Sequence, residues 1–446
     1  MMHSIPARTH SATCWRWLGC LTLLVAARTA QAQLNFESEP INYETAPTTN
    51  RVASLQQAID DGAATLEWDE EHGYLRSVLE HLDVPVSSQM LVFSKTSFQQ
   101  RRITSRRPRA IYFNDDVYVG WVQRGDVVEV STVDNNLGGV FYTLNQEETE
   151  TPRFVRDRGQ CLTCHASSRT AGVPGHLVRS VYADRSGQPF FGSGTFTTDH
   201  RSPFKERWGG WYVTGSHGKQ RHMGNVALDR SDAPEAMDRE AGANISDLSE
   251  LLDVSPYLAR SSDIVALMLL EHQTQAQNLI TRAAFETRSA LHYDQIMNDA
   301  LDRPADFRSE SATRRIESAV DKLVDYLLFV DEFTLEDGVE GNSAFTDEFT
   351  AQGPFDRRGR SLRQVDLNQR LMKYPCSYLI YSAQFRSLPE PALEYAYRRL
   401  FSILSGSESD ERYAHLTQVD RESVLEILNE THPQLLDWWK DSQVDP

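Results

Sequence analysis

The most constraining feature of this 446-residue sequence is one short motif, Cys161-Leu162-Thr163-Cys164-His165. Two thiols three positions apart share one side of a helical turn, and an imidazole follows directly. A C-x-x-C-H motif is typical of covalent haem attachment, in which the thiols bond to the vinyl groups and the histidine binds the iron. We therefore expect one haem c, held by Cys161, Cys164 and His165.

Three other chemistries use paired cysteines: a thioredoxin-like redox pair, a structural disulfide and a zinc site. A redox pair normally stands between a strand and a helix, a context that the sequence around Cys161 lacks, and zinc requires two further ligands. Cys14 and Cys20 lie near the N-terminus, which leaves Cys376 as the one cysteine outside the motif and the leader. We expect Cys376 to be an inert, buried thiol.

The N-terminus predicts export. A basic stretch precedes the apolar run 17–27, and Ala30-Gln31-Ala32 follows it. This order indicates a signal peptide over residues 1–32, cleaved after Ala32. The run is too short to cross a bilayer and no later stretch is long and apolar enough, so we expect a periplasmic protein with no stable membrane span. A lipid anchor at Cys20 is the alternative.

The charge balance narrows the choice of partner. Because the leader contains three arginines and no acidic residue, its removal changes the formal net charge from −18 to −21. Nucleic acid is therefore excluded as a partner, since its phosphates attract basic surfaces. A redox partner protein of basic charge fits better, and the acidity is equally well explained by solubility.

The pattern of the remaining chain predicts an α+β fold. Residues 33–150 read as a β-rich N-terminal layer, with a helix over Leu55–Leu82 and then strands over 90–93, 110–112, 117–122, 126–132 and 139–144. An irregular haem-binding segment occupies 151–228, a linker occupies 229–245, and a helical region occupies 246–446. In that region helices are expected from Ser262-Asp263 to Pro304 and over 312–329, 391–404 and 421–428, with a long loop over 331–361.

From Cys161 to about Val181 the sequence resembles c-type cytochromes. In small bacterial cytochromes c a Gly-Pro step follows the motif, and its proline carbonyl accepts a hydrogen bond from the iron-binding histidine. Gly172-Val173-Pro174-Gly175 is similar, although Val173 separates the glycine from the proline. The resemblance implies a cytochrome c-like segment in which Pro174 orients His165.

The rest of the chain is similar to large, single-haem cytochrome c family proteins of bacterial periplasms. The similarity is carried by three stretches, 112–115, 208–224 and 373–378. It implies a class of protein and no particular reaction.

The group opposite His165 on the iron decides between electron transfer and ligand chemistry. Met223 follows His165 at a spacing similar to that in single-domain cytochromes c, which makes it one candidate for the distal ligand. His217 and His222 in the same glycine-rich segment are two more. His272 lies on the apolar face of a predicted helix, where it is either a core residue or a ligand or acid/base group.

Two further clusters could surround a haem. Arginine side chains bind carboxylates through paired hydrogen bonds, so a group of five could hold the haem propionates or simply form a solvated hairpin end: Arg101, Arg102, Arg106, Arg107 and Arg109. Aromatic side chains could exclude water from the haem or form an ordinary core: Trp208, Trp211 and Tyr212.

Three functions follow from these features. The preferred hypothesis is single-electron transfer to or from a partner protein. A peroxidase- or oxygenase-like haem enzyme with an open distal site is the first alternative, with His217, His222 or His272 as an acid/base group. A haem-based sensor or binding module, in which ligand occupancy shifts the helical region, is the second.

Overall fold

A six-stranded antiparallel sheet forms the N-terminal layer in a computed structural model that describes residues 35–95, 97–230, 232–234, 237–408 and 410–442. Each strand pairs with the next along the chain. The strands are β1 Met90–Val92, β2 Arg109–Phe113, β3 Val117–Val122, β4 Val127–Asp134, β5 Gly138–Asn145 and β6 Phe154–Arg156. The predicted hairpins are confirmed, because alternating β-branched and aromatic residues interrupted by short turns favour such a meander.

The two faces of this sheet have different surroundings. On one face apolar side chains such as Tyr112, Val128 and Val130 are fully buried. The other face is divided. Phe113, Tyr118 and Val133 join the large apolar core shared with the C-terminal helices, whereas the end that contains Glu129 is half-exposed.

The predicted helix over Leu55–Leu82 is wrong as a single element. Two helices, α1 Arg51–Asp60 and α2 Leu75–His81, are separated by irregular chain. Gly62 follows α1 with a φ of +71°, a left-handed conformation that glycine adopts without strain and that ends helices. Asp61-Gly62 is a local turn signal that marks this break in the sequence.

The middle of the chain contains little regular structure, as expected for 151–228. A single helical turn, α3 Leu162–His165, carries the C-x-x-C-H motif. A two-stranded antiparallel sheet follows, formed by β7 Val178–Val181 and β8 Thr195–Thr198. The remaining backbone of this part consists of turns and isolated bridges.

The C-terminal part is helical, which confirms the α+β prediction. Its central element is the long helix α4 Ile264–Ala300, capped by Asp263 as predicted. The other helices are α5 Glu310–Leu327, α6 Phe345–Ala351, α7 Ala383–Arg386, α8 Glu390–Leu404, α9 Gln418–Thr431 and α10 Pro433–Ser442. Helix α6 interrupts the loop predicted over 331–361, and α10 was not predicted. The first half of α4 is buried on nearly every side, so its polar residues are buried too.

No helix in the described part of the chain is long and apolar enough to cross a membrane. The predicted signal peptide and its cleavage site after Ala32 lie outside the described residues.

Candidate haem site

Helix α3 presents the motif on one turn. The backbone N–H groups of Cys164 and His165 both donate to the carbonyl of Cys161, at 3.1 and 3.0 Å. The carboxylate of Asp157 accepts from the N–H groups of Gly159 and Cys161, at 3.0 and 2.9 Å, and so fixes the start of the turn. Cys164 is exposed, Cys161 is half-buried and both are free thiols.

His165 is oriented by a reciprocal pair of hydrogen bonds with Gly175. Its Nδ1 lies 2.8 Å from the Gly175 carbonyl oxygen, while the Gly175 N–H donates to the His165 carbonyl at 2.8 Å. The ring therefore carries its proton on Nδ1, which leaves the lone pair of Nε2 for a metal. In the part of the chain that the structure describes, Nε2 accepts no hydrogen bond.

The predicted role of Pro174 is shifted by one residue. The Pro174 carbonyl accepts from the N–H of Gly139 on β5, at 2.9 Å, so the next carbonyl, that of Gly175, faces His165 instead. The interaction resembles the one expected from c-type cytochromes, with a different residue as acceptor. The strand contact explains the change, since one carbonyl is already engaged by the sheet.

Helix α4 supports the same loop from the other side. The Asn278 side chain accepts from the N–H of His176 at 3.0 Å and donates to the His176 carbonyl at 2.7 Å. A Cβ on Gly175 would overlap the Asn278 side-chain oxygen, and a Cβ on Gly139 would lie 3.0 Å from the Gly175 backbone. The glycines thus allow sheet, loop and helix to meet behind His165.

His176 lies close to His165, yet Phe141 packs against both rings. The His165 and His176 ring centroids are 6.3 Å apart, and Phe141 lies 4.7 Å from the first and 5.5 Å from the second. The three rings therefore pack together as one aromatic cluster. Burial lowers the pKa of His176 to about 3, so this ring is neutral, with Nε2 hydrogen-bonded to Ser131.

An open part of the sheet adjoins the motif. Its side chains are only partly covered, and Val155 on the edge strand is 57% exposed. Near its middle, Arg109 crosses Gly120 and forms an ion pair with Glu129, 2.6 Å between nitrogen and oxygen. The partly exposed residues on this surface are Arg109, Ile111, Glu129, Ser131 and Thr143. This surface is on the same face of the sheet as Phe141, which packs against His165.

The electrostatics weigh against a redox cysteine pair. Burial, with the carboxylates of Asp157 and Glu129, raises the pKa of the Cys161 thiol to about 12, although Arg109 opposes this. Redox-active cysteines require a lowered pKa, because the thiolate is the reactive form. Burial also lowers the pKa of His165, which keeps the imidazole neutral as metal binding requires.

The zinc alternative lacks ligands. Among the described residues there is no group of three or more histidine, cysteine, aspartate or glutamate side chains that could hold a metal ion. The haem alternative needs only one protein ligand to the iron, because the macrocycle supplies the equatorial nitrogens.

Of the predicted distal ligands, His217 is fully hydrogen-bonded elsewhere. Its Nδ1 lies 2.8 Å from the Gln220 carbonyl oxygen, and its Nε2 accepts from the N–H of Asn244 at 2.9 Å. Both ring nitrogens are therefore engaged by backbone groups. Iron binding at His217 would cost one of these buried hydrogen bonds.

His222 and Met223 also belong to other contacts. His222 packs against His217, Trp208 and Phe204, and its Nδ1 accepts from the N–H of Gly224 at 3.0 Å. Met223 is fully buried in a small apolar cluster, with its sulfur 3.7 Å from the Ser180 hydroxyl. Neither contact set includes His165, so the structure does not bring these candidates to the motif.

His272 is a core histidine within a buried polar chain. Its Nδ1 lies 2.8 Å from Nδ1 of His200, and its Nε2 lies 2.7 Å from the Ser377 hydroxyl. The neighbouring Glu271 pairs with Arg207 at 3.2 Å, and all these side chains are buried. The sequence did not indicate His200 or Arg207 as partners of this helix, because they lie more than 60 residues away.

The remaining candidates are the arginine cluster, the three aromatic residues and Cys376. Some lie beside the motif and the others make contacts elsewhere. Arg109 lies beside the motif, whereas Arg102 forms an exposed ion pair with Asp126 at 2.5 Å. Trp208 packs against Phe204 and His222, and Trp211 donates to the Arg179 carbonyl at 2.8 Å. Tyr212, also buried, donates to the Ser105 carbonyl at 2.5 Å, and Cys376 is buried as predicted.

Sequence reasoning missed four residues that shape this site: Asp157, Glu129, Gly175 and Asn278. Asp157 could have been found, since an acidic residue four positions before the motif can cap its turn. The other three act through contacts between distant parts of the chain, which no local pattern signals.

Comparisons of this chain with protein family models, with curated proteins and with solved structures return no match. The geometry of the site therefore carries the functional interpretation.

Proposed function

We propose that this chain is a periplasmic, single-haem redox protein that transfers one electron at a time. Cys161 and Cys164 would hold the haem through thioether bonds, and His165 would bind its iron. The observation that carries the proposal is the reciprocal pairing of His165 with Gly175. It fixes the Nδ1 tautomer and leaves Nε2 without a hydrogen bond to any described residue, beside two free thiols on one turn.

A bound haem would supply an iron that changes its oxidation state by one electron. The residues of the chain would orient and shield it. Gly175 and Asn278 hold His165 in place, and Phe141 packs against the imidazole. A rigid ligand set of this kind keeps reorganisation small when an electron arrives or leaves.

Covalent attachment is tested directly by expressing the full chain in a host that exports proteins and attaches haem c. The wild-type protein should retain haem after denaturation in detergent, detected by haem staining of the denatured band. The Cys161→Ala/Cys164→Ala variant should lose the stain, and Cys376→Ala should keep it, since Cys376 is a buried thiol elsewhere in the fold. A stained double variant would contradict the proposal.

A second function, small-ligand binding at the iron, is favoured by one observation. His217 uses both ring nitrogens, and Met223 is buried against Ser180, so neither is free to bind a distal iron site without rearrangement. An iron with only His165 as protein ligand would have an accessible sixth position.

Adding carbon monoxide to the reduced protein distinguishes electron transfer from small-ligand binding. If the sixth position is closed, the absorption spectrum of the reduced protein stays unchanged when carbon monoxide is added, which favours electron transfer. A marked shift of the Soret band would favour ligand binding. Met223→Ala then identifies the closing ligand, because it should open the site only if Met223 binds the iron.

A further inference from the structure

One charged pair lies on the open face of the sheet, where Glu129 also accepts a long hydrogen bond from the Gln99 side chain at 3.4 Å. Arg109 on β2 and Glu129 on β4 reach across the intervening strand, where Gly120 has no side chain. Any Cβ at position 120 would overlap the Arg109 guanidinium. Gly120 therefore leaves room for the ion pair to cross the middle strand.

The pair is also incompletely satisfied. The Glu129 and Arg109 side chains are only 12% and 17% exposed, and Nε of Arg109 is buried with no hydrogen-bond partner among the described residues. Removing charges from water is costly, and such a pair is weak evidence for stability. Because stability does not account for this pair, its position is better explained by a neighbouring group on which its charges act.

That neighbour is the motif. Glu129 and Ser131 lie on the same face of β4, and Ser131 is paired with Phe141 on β5, whose ring lies 4.7 Å from the His165 ring. Charges in partly buried surroundings act more strongly on a neighbouring redox centre than charges in water.

We propose that Glu129 tunes the midpoint potential of the haem and that Arg109 is a positioning residue that holds the Glu129 carboxylate on the sheet face next to His165. The inference rests on the proposed haem site. The ferric form carries one more positive charge than the ferrous form, so a nearby carboxylate stabilises the ferric form and lowers the potential. The positive charge of Arg109 has the opposite effect and raises the potential. The two charges of the pair therefore partly cancel.

The experiment is a spectroelectrochemical titration of haem-loaded full-length variants, each first shown to retain covalent haem. Glu129→Gln keeps the side-chain shape and should raise the midpoint potential. Arg109→Gln leaves the carboxylate unneutralised and should lower it. The double variant should lie closer to the wild type than either single variant, because the pair as a whole is neutral.

A second set of variants leaves the ion pair intact. Thr143 is directly opposite Glu129 on the neighbouring strand β5 and is partly exposed on the same face. Thr143→Asp adds a carboxylate there and should lower the potential. Its matched control is Thr143→Asn, which introduces a side chain of the same shape without the charge and should leave the potential unchanged. Asp126→Asn, which removes the exposed partner of Arg102, should have no effect because water and salt screen it.

The outcomes separate this inference from the proposed function. Absence of covalent haem in the wild type would overturn both. Retained haem with an unmoved potential in Glu129→Gln and Thr143→Asp would overturn this inference alone. So would shifts of the same sign in Glu129→Gln and Arg109→Gln, because those would reflect disturbed packing and not charge.

Discussion

At the scale of single residues, the candidate site depends on the tightly packed loop that contains Gly175. Gly175 bonds to His165 through both its N–H and its carbonyl, and its Cα lies against Asn278 and Gly139. The Asn278 side chain cannot turn away without breaking two hydrogen bonds to His176. The orientation of His165 is therefore determined by packing more than 100 residues away in the chain.

Gly175→Ala is expected to lower stability by about 1–3 kcal/mol, the usual effect of overfilling a packed site. The added methyl group would overlap the Asn278 side chain and displace the carbonyl that accepts from His165. Denaturant unfolding measures the loss. Because the two residues collide, Gly175→Ala and Asn278→Ala should be less than additive when combined; additive losses would show that the collision is not the cause.

A second residue-scale prediction concerns Glu271. Burial raises its pKa to about 7 from a usual value of 4.5, although Arg207 opposes the shift. Between these two pH values the folded protein holds a proton that the unfolded chain releases, so stability is lost as the pH rises from about 4.5 to 7.

Glu271→Gln removes this ionisation. Relative to the wild type, the variant should gain stability on going from pH 4.5 to pH 7, by up to about 3 kcal/mol at 1.4 kcal/mol per pKa unit. Unfolding free energies of both proteins across this range provide the measurement. If the difference in unfolding free energy between the two proteins stayed constant with pH, the pKa of Glu271 would not be raised in the fold.

At the scale of elements, Asp263 joins the start of helix α4 to the loop before α6. One carboxylate oxygen of Asp263 accepts from the N–H groups of Val265 and Ala266, at 2.8 and 3.3 Å. The other accepts from the N–H groups of Asn342 and Ser343, both at 2.9 Å. A fully buried side chain therefore caps the central helix and anchors the loop before α6.

Asp263→Ala should cost about 2–4 kcal/mol, which combines a lost helix cap with unsatisfied buried donors in the loop. Asp263→Asn should cost less, because its oxygen can still cap the helix while its NH2 group cannot accept from Asn342 and Ser343. Chemical denaturation of both variants tests this order. The matched control is Asp247→Ala, which removes an exposed cap and should have a much smaller effect.

The reach of sequence reasoning also differs between elements. Strands β3 and β5 and helix α4 were predicted closely, since alternation, turn residues and an aspartate cap are local signals. The break between α1 and α2 was missed although Asp61-Gly62 is a local turn signal. The proposed attachment residues are a prediction from one motif. The role of Gly175 as acceptor and the hydrogen bonds of His217 and Met223 depend on contacts that only folding creates.

At the scale of the whole molecule, the dominant property is negative charge. The formal net charge of −18 falls to −21 if the predicted leader is removed. An acidic protein attracts cations over a distance of about 10 Å at 0.1 M salt, so its charge governs the encounter with small redox reagents.

The rate of reduction by a cationic reagent such as hexaammineruthenium should fall as ionic strength rises. With the anionic reductant dithionite the rate should increase, since salt screens a repulsion. Stopped-flow measurements of haem reduction provide both slopes. Two slopes of the same sign would indicate that the surface around the haem is not acidic, whatever the net charge.

The unequal exposure of the two motif cysteines has a consequence for how the protein is made. Cys164 is open to the surface, whereas Cys161 is half-covered and its N–H is held by Asp157. A maturation enzyme that approaches the finished fold would find one thiol within reach and the other obstructed. In the proposed haem protein both thioether bonds would therefore have to close before this turn is fully folded, so haem attachment would compete with folding. A chain that folded before attachment would not acquire covalent haem.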